Sequence, residues 1–426
     1  MAATLIAQLQ ASLDTLPPGA LTVAFSGGMD SCVLLHALAQ LPAARTRGLD
    51  ALHIDHDLHA DSAEWARQCR EFADRLCVPF ASIAVTVERD SGSGPEGAAR
   101  RARLAALTAR LAPGAILVLA QHRGDQAETV LLKLLRGAGP EGLGAMRTVR
   151  QCGDGYLWRP LLDMPRAALR DYAQLHALRW IEDPSNADTR LRRNFLRKEI
   201  LPRLARRWPD AETALAHSAA WARAAADFIN AQAQCALAQL RGKAPATLLW
   251  QGWQALPDAL RDPVLRLWLR ELGMDEPAHF HVVELERQLR AAHDRTPCVA
   301  FAHTELRRYR DTLYALHPLP PFPQDWQIIW DGAPLALPGG GTLTLEGTRP
   351  AGTTLTVRYR RGGERIRPAG SVHTRELRLI LQAAGIPPWQ RARLPLVYAD
   401  EELIAVGDIH SASAQALGMQ VFRRMD

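Results

Sequence analysis

The stretch Leu21–Leu35, written LTVAFSGGMDSCVLL, leaves a chain very few local folds. Five residues of strand composition lead into Ser26, Gly27, Gly28, Met29, Asp30 and Ser31, and an apolar helical run begins at Cys32. A strand that turns through glycine into a helix presents the first backbone N–H groups of that helix, with their partial positive charge, to an anion at the turn. Glycine admits left-handed backbone angles and lets a phosphate approach where a Cβ would stand. Ser26 and Ser31 add hydroxyl donors, and Asp30 adds a carboxylate able to hold Mg²⁺ against phosphates. The structural alternative is a plain strand–turn–helix with a chance glycine pair; six defined positions in this context favour the phosphate site.

No lysine follows the second glycine, so the stretch is not the Walker A pattern, and it is not the dinucleotide-binding GxGxxG. S-G-G-x-D-S resembles the PP-loop of the ATP pyrophosphatase superfamily. That resemblance implies an adenine nucleotide alpha hydrolase-like domain that binds ATP and cleaves it between the α- and β-phosphates.

The rest of the chain alternates around this stretch in α/β fashion. Residues 3–16 read as an amphipathic helix carrying Leu5, Ile6, Leu9 and Leu13. Strands are expected at Ala51–Ile54, Phe80–Val87 and Ala115–Ala120. Helices are expected at Ser62–Leu76, Glu96–Leu111 and Asp125–Leu135. Short apolar strands spaced by helices predict a parallel sheet covered on both faces, with ligands at the strands' carboxyl ends. That rule singles out Ser26–Ser31, His53–His59 and Gln121–Glu128. At 426 residues more than one core is expected. Composition shifts near 212 and 325 divide the chain into an N-terminal α/β domain (1–212), an Ala-, Leu- and Trp-rich helical domain (213–325) and a small α+β domain (326–426).

Net charge is +6 and the sequence pI about 9.2, which favours a polyanionic partner. Between Thr189 and Pro209 there are eight Arg or Lys residues against the single acid Glu199, too lopsided for i,i+4 pairing and suited to phosphate contact. Residues 346–426 hold twelve Arg and eight acids, and Tyr359 and Trp389 are candidates to stack on exposed bases beside Arg358, Arg360, Arg361, Arg365 and Arg367. Six scattered cysteines without a C-x-x-C pair argue against a disulfide frame, a zinc ribbon or a cysteine-held cluster. No leader and no membrane-spanning run is read, so a cytoplasmic protein is expected, away from membranes. The sequence leaves the oligomeric state open, a homodimer among the forms it allows.

The second constellation is AQHRGDQAETVLLKLLRGAGPEGL. Asp125 falls in a first helical turn, with Glu128 three residues on and on the same face. Two acids beside a triphosphate suit Mg²⁺ or an incoming ammonium; D-x-x-E is equally a capping signature. The loop Gly137–Gly144 reads as a mobile cover. His53, His56 and His59 with Asp55 and Asp57 have ligand-type side chains, but a nucleotide-facing loop at a strand end is favoured over zinc. Cys32 is expected to be a buried helix residue rather than a nucleophile.

Taken together, S-G-G-x-D-S, H-x-x-D-Q-x-E-T, R-G-x-G-P-x-G-L and D-x-S-N-x-D-x-x-x-x-R-N resemble the tRNA(Ile)-lysidine synthetase family. The likeness runs on to RGGERIRP and GIPPWQRARLPLVY and so covers nearly the whole chain. It implies an enzyme that uses ATP and free L-lysine to convert the wobble cytidine of a CAU-anticodon isoleucine tRNA into lysidine. In that reading Ser26, Gly27, Gly28, Met29, Asp30 and Ser31 cradle the pyrophosphate and His53 and His56 face the nucleotide. Asp30 holds Mg²⁺, Asp125 and Glu128 orient lysine or a metal, and Arg193 neutralises the attacked α-phosphate. Two departures stand out. The family usually has an acid before the Asp of H-x-x-D-Q, and here that position is Gly124. Its usual H-x-x-H-G-L turn is here His53-Ile54-Asp55-His56-Asp57-Leu58. A PP-loop tRNA thiolase is disfavoured by the absence of paired cysteines. A small-molecule ligase of the superfamily leaves the basic tail unexplained. A non-catalytic tRNA-binding protein is at odds with intact Ser26–Ser31, Asp125 and Glu128.

Overall fold

The computed structural model describes residues 2–55, 61–85, 105–290, 297–347, 352–407, 409–416 and 420–424. His56, Asp57 and His59, most of the helix expected at Glu96–Leu111 and the end of the strand expected to reach Val87 lie outside them. The chain divides into two compact units, Met1–Ala231 and Gln232–Asp426, and the division falls within the helix Ala211–Leu240.

Unit one is built on a six-stranded sheet. Its strands are β1 (Leu21–Ala24), β2 (Leu49–Asp55), β3 (Phe80–Ala84), β4 (Ile116–Val118), β5 (Val149–Cys152) and β6 (Gly155–Trp158), in the order β3-β2-β1-β4-β6-β5. All pairings are parallel except β5 with β6. The β5–β6 hairpin was not expected from the sequence. β5 has no buried residue, so its side chains carry no apolar alternation to read.

The helices α1 (Ala2–Asp14) and α2 (Met29–Ala39) show why the head of α2 is fixed in place. Val33, Leu34, Leu35, Ala37 and Leu38 of α2 are completely buried, in one core with Leu5, Leu9 and Leu13 of α1, Val23 of β1, and Leu169 and Tyr172. A helix apolar on every side must be covered on every side, and each fully buried aliphatic side chain contributes about 1.5–3 kcal/mol. On the other face of the sheet Leu52, Leu107, Leu117 and Leu157 form a smaller cluster. The strand order reverses between β1 and β4, which opens a crevice beyond their carboxyl ends. The segments following those two strands carry Ser26–Ser31 and Gln121–His122.

Unit two contains separate cores. Residues 233–315 gather around Trp253, Trp268 and Leu285. There the helices Asp258–Glu271 and His279–Arg290 accompany a four-stranded antiparallel sheet of Thr247–Leu249, Thr312–Leu316, Thr304–Tyr309 and Cys298–Phe301. The sequence shows helical periodicity and little β character here; strands of three to six residues are too short to stand out beside long helical runs. The C-terminal part has a five-stranded sheet, Gln327–Trp330, Leu355–Arg358, Leu396–Ala399, Glu402–Val406 and Ile409–His410, and the helix Leu377–Ala383. One expectation is corrected here. Tyr359 and Trp389 are not base-stacking platforms but buried: Tyr359 packs against Phe322 and Trp326 and accepts the Gly339 N–H at 2.9 Å, and Trp389 meets Tyr309 and Tyr314 edge-on. Rings this large repay burial more than any other side chain in a small domain. Of the arginines around Tyr359, Arg358 and Arg360 pair with the buried Glu364, while Arg361, Arg365 and Arg367 are exposed. No helix among the described residues is long and apolar enough to cross a membrane.

Gly27 tests the frame beneath the loop. Its φ is +79°, and a Cβ there would stand 2.6 Å from Ile181 Cδ1 and 2.7 Å from Cys69 Sγ. Gly27→Ala is therefore expected to destabilise unit one by about 2–4 kcal/mol, from the left-handed backbone and the overpacking together. Thermal melting checks this, and an unchanged Tm would mean that the turn is not held in this way.

Candidate active site

The loop after β1 forms a cradle at the head of α2. Gly28 is the N-cap of α2 and offers no side chain to the helix. Ser26 Oγ and Ser31 Oγ lie 3.2 Å apart, Ser26 Oγ accepts the Gly28 N–H at 3.4 Å, and Ser31 Oγ donates to Gly28 O at 2.9 Å. Gly27 O accepts the Ile181 N–H at 2.9 Å and the Cys32 thiol at 3.2 Å, so the loop is tied down from behind. Burial raises the Cys32 thiol pKa far above its ordinary range, with the Cys69 and Asp30 charges adding to the effect. Cys32 is thus the inert buried residue that was expected, and all six cysteines are free.

The loop opens on a cavity of about 980 Å³. Ser26, Gly28, Met29, Asp30 and Ser31 line it together with Gln121, Arg159, Arg166, Arg170, Trp180, Glu182, Asp183, Arg197 and Lys198. Of the sequence candidates, Gly27, Asp125, Glu128, Arg193 and His53 are not on its wall. His53 is buried beside the loop, its Nδ1 2.9 Å from Phe25 O and its ring stacked near Phe80.

Behind the wall lies a charge cluster. The helix Arg123–Leu134 starts two residues before the expected Asp125, with His122 as its N-cap. His122 Nδ1 accepts the Gly124 N–H at 3.0 Å, and Asp125 Oδ2 accepts the His122 N–H at 3.0 Å. Asp125 is therefore the acid of the capping box, and Glu128, a turn further on, is left for other work. With Nδ1 accepting, the proton of the neutral His122 ring resides on Nε2, 3.8 Å from Asp30 Oδ2 and 3.6 Å from Asp125 Oδ2.

The basic segment supplies the opposite charges. Its α-helical turns Arg192–Phe195 and Leu201–Arg207 are joined by a π-helical turn, Leu196–Ile200, in which the Leu201 N–H reaches back five residues to Leu196 O. Pro202 has no N–H to give Lys198 O and its ring crowds that carbonyl, so a widened turn relieves a continuing helix. From this turn Arg197 donates through Nε to Glu128 Oε1 at 2.6 Å and through Nη2 to Asp125 Oδ1 at 2.9 Å. Arg193 lies 3.8 Å from Glu128 Oε2 and donates to Thr129 Oγ1 at 3.3 Å. Removing one partner from so buried a pair typically costs about 3–5 kcal/mol.

The Gly-rich segment is pinned rather than free. Pro140–Leu143 forms a single helical turn. Gln126 exchanges two hydrogen bonds with the Met146 backbone, and Arg223 donates to Gly144 O and Met146 O. The mobile cover expected over Gly137–Gly144 is thus anchored at its far end.

Among the described residues no group of three or more His, Cys, Asp or Glu side chains could hold a metal by itself. Asp30 can share one. Its Oδ1 is buried without a hydrogen-bond partner and faces the equally unpartnered Arg166 Nε at 3.6 Å. A single carboxylate completed by substrate phosphates and water is the usual protein share of a Mg²⁺ site. Sequence reasoning did not single out His122, Arg159, Arg166, Arg197 or Lys198. For His122 and Arg197 there was a signal: the first opens H-x-x-D-Q, and the second follows Arg193 by one helical turn.

Residues 1–204 match a family model described as a PP-loop domain. Residues 248–314 match one described as the TilS substrate binding domain, and 355–420 one described as the TilS substrate C-terminal domain. The chain is 45% identical over 407 residues to the tRNA(Ile)-lysidine synthase of Xanthomonas campestris pv. campestris (strain 8004), covering 95% of this chain and 93% of that protein. It is 46% identical over 403 residues to the tRNA(Ile)-lysidine synthase of Xanthomonas axonopodis pv. citri (strain 306), covering 93% and 91%. With the protein of that name from Methylococcus capsulatus it shares 40% over 415 residues, 94% of each chain.

Glu128 carries a pH-dependent prediction. Burial raises its carboxyl pKa above the ordinary 4.5; Arg197 pulls it down, Asp125 pushes it up, and the net shift is upward. The fold therefore favours the protonated form, and that stabilisation is present below the ordinary value and lost as pH rises through the raised one. Glu128→Gln cannot titrate, so its Tm relative to wild type should climb as pH rises above the ordinary carboxyl value of 4.5. A flat or falling difference would contradict the assignment.

Proposed function

The chain belongs to the tRNA(Ile)-lysidine synthase family, a ligase family, and from that premise we propose that its cavity joins free L-lysine to C2 of the wobble cytidine of a CAU-anticodon isoleucine tRNA. The protein uses ATP and acts on tRNA. The observation that carries the finer reading is the uncapped helix head at Gly28–Ser31, opening with Asp30 on a cavity large enough for a nucleotide and a second substrate.

In the first step the cytidine C2 oxygen attacks the α-phosphorus. An O–P bond forms, the α–β bridging bond breaks, and pyrophosphate leaves with its electrons. The backbone N–H groups at the head of α2, with Ser26 and Ser31, are aimed at the charge that gathers on this leaving group. Asp30 is the residue to hold Mg²⁺, which neutralises phosphate charge when bound. Next the lysine amine forms the C–N bond at C2, the C2–O bond breaks, AMP departs, and the amine gives up its proton. Glu182 and Asp183 put carboxylates on the cavity wall for the cationic lysine. Asp125, Glu128 and Arg193 form the charged layer behind that wall. His122 Nε2 stands between the two carboxylates, 3.8 Å from Asp30 Oδ2 and 3.6 Å from Asp125 Oδ2.

The exposed Arg361, Arg365 and Arg367 and the basic segment Arg192–Arg207 are suited to tRNA phosphates. The three-part division at about 212 and about 325 is proposed on the same grounds: catalysis in the first part, grip on tRNA in the others.

Wild-type protein given ATP, radiolabelled lysine and unmodified tRNA should release AMP and pyrophosphate and place label in the anticodon. ADP and inorganic phosphate without AMP would refute the reading. Asp30→Ala should abolish AMP release while tRNA binding persists, and unchanged turnover would remove Asp30 from the site. A Cβ at Gly124 would stand 2.9 Å from His122 Cε1. Gly124→Asp must therefore displace that buried ring, and is expected to slow AMP release about ten- to hundredfold. A gain in rate would mean instead that the natural site lacks an acid there.

A further inference from the structure

We infer that Arg197 grips a phosphate of bound ATP, and that Asp125 and Glu128 serve as positioning residues that hold Arg197 for this task rather than meeting a substrate themselves. The inference rests on the ligase reading above and assigns the charged layer behind the cavity a mode of action.

Three observations converge on Arg197. First, it lines the cavity, whereas Asp125, Glu128 and Arg193 do not. A carboxylate behind the wall reaches a bound molecule only through what stands before it. Second, both flanks of the guanidinium are taken. Nε is held by Glu128 and Nη2 by Asp125, and Nη1 has no partner among the described residues. Held by two carboxylates, the planar group loses its rotational freedom and presents its remaining N–H donors in fixed directions. Guanidinium geometry suits a phosphate oxygen, and an ammonium cannot reproduce the arrangement, since it lacks the rigid fork. Third, Arg197 comes from the π-helical turn Leu196–Ile200, and such turns, costly in a helix, are frequent at functional sites.

Phosphate is favoured over the lysine carboxylate by the charge around the cavity. The wall carries Arg159, Arg166, Arg170, Arg197 and Lys198 against Asp30, Glu182 and Asp183, an excess of cations that calls for a polyanion. Arg197 and Asp30, the acid at the head of α2, line the same cavity. Two acids can sit this close to a phosphate site because Arg197 and Arg193 together stand against their charge.

The test uses the full-length chain and two separable readouts. Adenylation is followed with α-labelled ATP and unmodified tRNA in the absence of lysine, and the lysine KM is measured in the complete reaction. Arg197→Ala and Arg197→Lys should both lower the adenylation rate about a hundredfold or more, as loss of a preorganised charge donor does, with lysine KM unchanged. Asp125→Asn and Glu128→Gln should lower the same rate by less and also spare lysine KM. Thermal melts identify any variant that has lost its fold, and Arg197→Lys keeps the charge if Arg197→Ala does not fold. An unchanged adenylation rate with a raised lysine KM in the Arg197 variants would give this residue to the lysine carboxylate and overturn the inference. A raised lysine KM in Asp125→Asn or Glu128→Gln, with adenylation intact, would put those acids on the amine and overturn it equally. Full activity of Arg197→Lys would show that charge alone suffices and that the fork is not used. Failure of the wild-type protein to make AMP would instead defeat the ligase reading itself, an outcome distinct from all of these.

Discussion

Backbone N–H groups at the head of a helix need partners, and here no side chain of the N-cap supplies one. That unmet requirement organises unit one. The helix that carries it is buried on all sides, so its head cannot swing to find water. The loop before it is fixed through Gly27 O, which takes both the Ile181 N–H and the Cys32 thiol. What remains is an anion site whose donors are set before any ligand arrives. Preorganisation of this kind spares the reaction the reorganisation that water would need.

Charge balance around that site is handled in two layers. On the wall, cations outnumber acids. Behind it, Asp125 and Glu128 are tied to Arg197 and Arg193, with His122 bridging toward Asp30. Burial makes each of these pairings demanding, because a charge taken from water must be compensated where it stands. Glu128, almost wholly enclosed, shows the strain of this arrangement in its raised pKa. The cluster is also a mechanical link. It joins the helix following β4 to the π-turn of the basic segment through one set of ion pairs.

In unit two the aromatic residues do structural work. Tyr359 and Trp389 sit among basic residues in the sequence, and that neighbourhood suggested stacking on bases. Tyr359 is nevertheless buried in the core, Arg358 and Arg360 pair with Glu364, and the exposed cations follow at Arg361, Arg365 and Arg367. Any nucleic-acid contact through this region is therefore electrostatic in its first layer.

Local chemistry wrote much of this into the chain. The strand, glycine turn and helix at Leu21–Leu35, the parallel α/β order that follows and the acids at Asp125 and Glu128 were legible because each depends on residues within a turn or two of one another. The β5–β6 hairpin was not, since β5 has no buried face to show an alternation. Nor were the four short strands of unit two: Thr247–Leu249 pairs with a strand more than sixty positions on, and the other three alternate over only four to six residues, too short a run to stand out beside long helices. The same limit applied to the site. A helical period shows that Asp125 and Glu128 share a face, but not what that face meets. Only the packed structure turned both acids onto Arg197, placed Arg193 behind the wall and brought Arg197 and Arg166 into the cavity. Contacts between residues some seventy positions apart are decided by how helices pack on a sheet, and no local pattern encodes them.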